Sequence, residues 1–287
     1  MRGPPERTLF MTSAVRSILH PTDFSDASMD AFVHGLKLAL AAKAGFHILH
    51  IRSKSDETAG NSAPRVRQTL AQWGLMDAND PPASVETRLG IRASKVELPP
   101  QNPVTGILAY LETHPSDLIV LATHGREGLP RWLFGSVAET VARKASIAAL
   151  FVAPGAFGFV DPLRGTMRLQ RILIPVDANP NPKAAIAYVR QFAALQTEGT
   201  AELRFLHAGR AAPVFSGGDG GVAAADIALA HGDPVEAIVR EAEEWRADLI
   251  AMPTAGHHGL MDAINGSTTE QVLRTAPCPV LAIPAKG

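Results

Sequence analysis

The sequence predicts an α/β protein built from two copies of one unit, each a parallel sheet covered by helices on both faces. Three observations carry this reading. Short, continuously apolar runs alternate with longer segments of helical period, the pattern of strands buried on both faces. The chain also repeats itself in order, residues 17–23 (Ser-Ile-Leu-His-Pro-Thr-Asp) matching 171–177 (Arg-Ile-Leu-Ile-Pro-Val-Asp) at an offset of 154. Finally, Asp117-Leu118-Ile119 matches Asp248-Leu249-Ile250, and Gly125, Gly128, Gly135, Ser136 and Glu139 match Gly256, Gly259, Gly266, Ser267 and Glu270, all at an offset of 131. An ordered series with constant offsets marks a duplication. The offset falls by 23, so the first copy carries about that much extra chain.

The elements follow in order. Residues 18–21 form a short apolar strand. Residues 27–44 carry Phe32, Leu36 and Leu40 at helical spacing, with Gly45 as the expected stop. A strand over 46–51, a helix over 64–73 within the extra chain and a weak strand over 95–98 come next. Pro103 opens a helix over 103–114. A buried-type strand over 117–123, a helix over 135–144 and a strand over 149–152 complete the first copy. The second copy repeats the plan, with strands over 172–176, 202–207, 226–229, 249–252 and 280–283 and helices over 182–195, 234–245 and 266–275. A Gly-rich loop between Gly209 and Gly221 replaces the extra helix. The organisation expected is a flexible N-terminus over 1–14, a first domain over 15–154, a linker over 155–168 and a second, shorter domain over 169–285.

Composition narrows the function. The 287 residues suit two domains, with 46% hydrophobic and 19% charged residues. A net charge of −1 gives no basic footprint for nucleic acid. No apolar run reaches the ~18 residues of a membrane helix, and the apolar centre of the N-terminus is too short for a signal peptide. The expected address is the cytoplasm. Cys278, the sole cysteine, excludes a disulfide framework and reads as a structural thiol between two prolines. The pair His257-His258 points in two directions and makes a poor metal site. Phe215-Ser216-Gly217-Gly218-Asp219-Gly220 resembles the phosphate loop of ATP pyrophosphatases, but it follows the wrong strand and reads as a flexible loop.

One constellation points to chemistry. A strand ends in Ala122-Thr123-His124-Gly125, nine residues run from Arg126 to Phe134, and Gly135-Ser136 opens a helix. Glycine lets backbone N–H groups approach an anion, and a helix start favours negative charge. Strand carboxyl ends are where open α/β sheets bind ligands. A turn followed by a capped helix would leave the same residues, so the spacing alone does not decide.

Those residues also carry a family likeness. The stretch Gly125, Gly128, then Gly135-Ser136 resembles the nucleotide-binding pattern of the universal stress protein family. So do Pro21-Thr22-Asp23-Phe24-Ser25, Leu49-His50-Ile51 and Ala276-Pro277-Cys278-Pro279-Val280. The likeness spans about 15–154 and 169–285, a tandem of two such domains. It implies, for each domain, a doubly wound, five-stranded parallel sheet of the Rossmann-like, adenine-nucleotide alpha-hydrolase-like kind. It also implies an adenine nucleotide as ligand, ATP in the first domain foremost, with Mg2+ accompanying it. By position, Pro21, Thr22, Asp23 and Ile51 would line adenine and ribose, and Leu121, Ala122, Gly125 and Gly128 would form the loop. Gly135, Ser136, Val137 and Ala138 would hold phosphates, with Arg126 or Arg131 assisting. Asp177, Gly256, Gly266 and Ser267 are the second-domain counterparts.

This sequence departs from that pattern. Ala122 and Pro253 replace a glycine, Val176 stands for Thr22, and Ala208 stands for Ile51. The implied function is a regulatory, stress-response binding protein, with at most slow ATP hydrolysis because no general base is evident. The alternative is a nucleotide-free scaffold acting through unidentified protein partners. His50 and His207 read as packed residues, and Asp23 and Asp177 would serve equally as helix caps. The likeness further implies that the last strands of the two domains pair within the chain, and it is compatible with homodimerisation of the whole.

Overall fold

The computed structural model describes residues 15–52, 65–123, 136–154, 158–196, 199–215, 220–254 and 268–285. The first half runs β1 (Ser17–Thr22), α1 (Asp26–Ala42), β2 (Gly45–Ile51), α2 (Val66–Gln72), α3 (Ser84–Leu89), β3 (Ala93–Leu98), α4 (Pro103–Thr113), β4 (Leu118–Ala122), α5 (Ser136–Ala145) and β5 (Ala148–Val152). The second runs β6 (Arg171–Pro175), α6 (Lys183–Ala193), β7 (Glu202–Ala208), β8 (Ile227–Ala230), α7 (Pro234–Glu244), β9 (Leu249–Thr254), α8 (Thr268–Thr275) and β10 (Val280–Pro284).

All ten strands join one sheet, in the order β3-β2-β1-β4-β5-β10-β9-β6-β7-β8. Each half is parallel throughout, and the halves meet where β5 and β10 run antiparallel, pairing Leu150 with Leu281 and Phe151 with Val280. The inner strands β1, β4, β5, β6, β9 and β10 bury both faces, as their unbroken apolar runs require. Ile18, Leu118, Val120 and Leu150 enter one core, while Leu19, Ile119, Leu121 and Phe151 enter the other. Each core is continuous beneath both halves, so the seam is interior rather than a contact between two surfaces.

Local chemistry sets the boundaries. The Ser25 hydroxyl caps α1 by accepting from the Ser28 N–H at 3.3 Å. Gly45, the expected helix stop, instead opens β2. Lys43 takes the left-handed position at φ 53°, and its N–H bonds the Ala39 carbonyl. Helix α3 has six residues with only Val85 buried, too few to show a helical period in the sequence. The edge strand β3 carries Lys95 and Glu97, charges that discourage pairing with another chain.

One duplicated device anchors the strand starts. The Asp117 carboxylate accepts from the N–H groups of Arg16 (2.8 Å) and Ser17 (3.1 Å). Asp248 does the same for Gln170 (2.8 Å) and Arg171 (2.9 Å). Asp248→Ala would strand two N–H groups and is expected to cost about 2–3 kcal/mol, read as a fall in the urea midpoint. An unchanged midpoint would show that water replaces the carboxylate there.

The connector is packed against the first half. Phe159, Val160 and Leu169 are buried, and Val160 bridges Met167. The Trp73 indole N–H donates to the Pro162 carbonyl at 3.0 Å. Gly165, at φ +64°, lies flush against that indole. No described helix is long and apolar enough to cross a membrane.

Candidate functional site

The site follows from how the strands diverge. β1 pairs with β4 only at Ile18–Leu118 and Leu19–Ile119, and β6 pairs with β9 only at Ile172–Leu249 and Leu173–Ile250. Beyond those pairs the carboxyl ends part. In both halves the chain reverses its winding direction there, the crevice where doubly wound sheets take ligands.

In the second half this crevice opens into a cavity of about 370 Å3, within the size range of small-molecule sites. Its floor is apolar, with Leu206, Met252, Phe151 and Ala282 among the lining side chains. Its polar wall comes from Asp177 at the end of β6, Thr254 at the end of β9 and Thr268 and Glu270 on the first turn of α8. Glu139 and Arg143, on α5 of the first half, complete the wall. The Asp177 carboxylate accepts from the Ala178 N–H at 2.6 Å, which keeps it at the mouth. His207 Nδ1 lies 2.9 Å from the Val176 carbonyl and ties β7 to the end of β6.

The same corner of the first half is filled differently. Phe24 sits at φ 62° and its ring stacks on His50 with centroids 4.0 Å apart. At the offset of 154 the residue matching Phe24 is Ala178, so the second half lacks this ring and its corner stays open. The Thr22 hydroxyl is engaged by Ser28 Oγ at 2.9 Å and by the Phe24 N–H at 3.1 Å. Asp23 accepts from the Ser25 N–H (3.0 Å) and hydroxyl (2.6 Å), so it orients the cap of α1 while Ser25, not Asp23, is the capping residue. His50 Nδ1 lies 2.8 Å from the Thr22 carbonyl, as His207 does in the second half.

The other sequence-predicted residues fall into two groups. Pro21 is half-buried in β1 and pairs with Leu49 of β2, and Ile51 packs against the bare Cα of Gly106. Leu121 and Ala138 are buried and Val137 is half-buried in the core under α4 and α5, so only their backbone can face a ligand. Ala122 ends β4 beside Val152. Ser136 opens α5. Arg126, Arg131, Gly125, Gly128, Gly135, His124, Gly256, Gly259, His257, His258, Gly266 and Ser267 lie outside the described residues, as do 1–14 and 216–219. Cys278 is buried and its thiol is pushed up to about 12 by burial, then by Asp248, which fits a structural thiol.

Sequence reasoning missed the contribution of α5 to the second-half cavity. Glu139 was visible as the repeat partner of Glu270. That the two meet across the seam shows only in the fold, where the Glu139 carboxyl is held above its usual range by burial and then by Glu270. Arg274 and Arg143 oppose that shift.

Comparison with known proteins settles the family. The universal stress protein family pattern matches residues 14–153 and 217–284. The chain belongs to the universal stress protein family. A universal stress protein of Methanocaldococcus jannaschii is 29% identical over 140 residues, spanning 48% of this chain and 81% of that protein. A solved universal stress protein from Archaeoglobus fulgidus is 21% identical, with a TM-score of 0.59 over 95% of this chain and 97% of that one. A Pseudomonas aeruginosa structure of unknown function is 17% identical, with a TM-score of 0.62 over 95% and 94%. The two structures share the α/β fold across almost the whole chain. At these identities they speak for the fold alone.

Proposed function

We propose that this universal stress protein is an adenine-nucleotide-binding regulator of a stress response, acting in the cytoplasm. The observation that carries the reading is the second-half cavity of about 370 Å3, set at the strand divergence with Asp177 at its mouth and an apolar floor. Its site residues are Asp177, Ala208 and Thr254 from the strand ends and Thr268 from α8, with the Gly256, Gly266 and Ser267 motif assigned to the phosphates on sequence grounds. ATP is the nucleotide favoured, and the fuller motif of the first half (Asp23, Gly125, Gly128, Gly135, Ser136) marks a second site. Mg2+ would accompany the phosphates. Phe24 over His50 favours a narrower first site, or one that has given way to protein contacts. No general base is evident in the sequence motif, so binding is the reading preferred over turnover.

The test is calorimetric titration of the nucleotide-stripped chain with ATP, beside Ala208→Trp. Ala208 lines the cavity, so the indole fills it. One binding component is expected to disappear, a loss of at least ~100-fold in affinity, as for a site physically occupied. Binding identical in the two proteins would remove the second-half site, and no binding in either would leave the scaffold reading.

A further inference from the structure

The second-half cavity is walled by the first half in a way that repetition alone does not explain. Helices α5 and α8 lie on the same face of the sheet and lead into the antiparallel strands β5 and β10. They therefore run in opposite directions about the seam. Glu139 and Glu270, equivalent at the offset of 131, meet near that axis. Four residues further along α5, about 6 Å at a helical rise, the chain reaches Arg143. That step leads toward the start of α8, and Arg143 shares the cavity wall with Thr268 and Thr269. Arg274 is the equivalent on α8, and it pairs with Glu270 on its own helix rather than lining the cavity.

The charges make this placement consequential. Among the described residues the lining holds three carboxylates, Asp177, Glu139 and Glu270, and Arg143 is its only arginine or lysine side chain. Arg274 neutralises Glu270. An anionic ligand entering this wall without Arg143 would meet net negative charge, whereas a neutral one would be little affected. A guanidinium suits phosphate oxygens, to which it can donate two parallel hydrogen bonds.

We infer that Arg143, carried by the first half, supplies the cationic contact to the phosphate end of a nucleotide bound in the second-half cavity, so that this site is built from both halves. The inference rests on reading that cavity as an adenine-nucleotide site. It makes Arg143 a selector of charged over uncharged ligands.

The experiment compares ATP, ADP and adenosine on the full chain, its Arg143→Ala variant and its Arg274→Ala variant. The quantity followed is the binding component that Ala208→Trp abolishes. Arg143 is exposed, so its variant is expected to keep the native melting temperature. Arg143→Ala is expected to weaken ATP and ADP by about 10- to 100-fold, the span of a hydrogen bond to a charged group. Adenosine should stay within about twofold, because it carries no charge to pair, and Arg274→Ala should shift ATP less than about threefold. ATP affinity unchanged in Arg143→Ala would overturn the inference. So would adenosine weakening in step with ATP, which would mean packing alone. A native chain with no component removed by Ala208→Trp would refute the nucleotide reading itself, and the inference with it.

Discussion

Lowering the pH from 7 to 4 is expected to remove about 5 kcal/mol of stability through two buried imidazoles, His20 and His34. His20 is wholly buried between Phe32 and Phe46, with Nδ1 3.0 Å from the Val120 carbonyl and no partner for Nε2 among the described residues. His34 lies under the connector, its ring edge-on to Phe159 at 4.6 Å. Burial lowers both from 6.5 to about 4, against the smaller raising effects of their backbone hydrogen bonds and, for His20, of Asp23. The sign follows from proton counting. Between pH 6.5 and about 4 the unfolded chain binds protons at these rings and the folded chain does not, so stability falls as the pH falls. Stability is fully present above 6.5 and the loss is complete below the folded value. The second half places Ile174 where the first has His20. His20→Ile is therefore expected to flatten about half of this slope in urea unfolding at stepped pH. An identical slope in the variant would show that the two histidines are not its source.

Gly165→Val is expected to cost about 4 kcal/mol and to release Trp73 into water. The backbone at φ +64° disfavours any side chain, and an added Cβ would lie 2.2 Å from the indole Cδ2. Trp73 is buried and its N–H is held by the Pro162 carbonyl, so the clash has no flexible group to yield. With Trp132 and Trp245 replaced by phenylalanine, the single emission should move to the red and the urea midpoint should drop. An unmoved spectrum would mean that the connector shifts as a unit and keeps the indole covered.

Much of this was legible in the residues. Apolar runs such as Leu118–Ala122 needed no partner to announce a doubly covered strand, and Pro103 announced a helix start that the structure reproduces, adding Asn102 as a cap that accepts from the Thr105 N–H at 3.2 Å. The repeat itself aligned the two strand-end corners. What escaped was set by contacts distant in sequence. Nothing in residues 84–89 distinguishes a one-and-a-half-turn helix from a loop. Phe24 stacks on His50 across 26 positions, and Arg143 reaches a cavity whose mouth is Asp177. Local pattern fixes which residues form an element, whereas a wall shared across the seam depends on where the ten-stranded sheet is joined.

That join has a bearing on how the protein can change. Were the same sheet assembled from two identical subunits, each substitution would be made twice, and an improvement on one side of the axis would be tied to its mirror image on the other. Covalent linkage through the connector breaks that constraint. Phe24 can stand over one histidine while Ala178 leaves the other uncovered, and His20 can titrate while Ile174 cannot. Symmetry survives where the geometry needs it, in the paired Asp117 and Asp248 anchors, and lapses at the two mouths. The single chain is thus free to hold two unlike thresholds in one continuous sheet, one tuned without detuning the other.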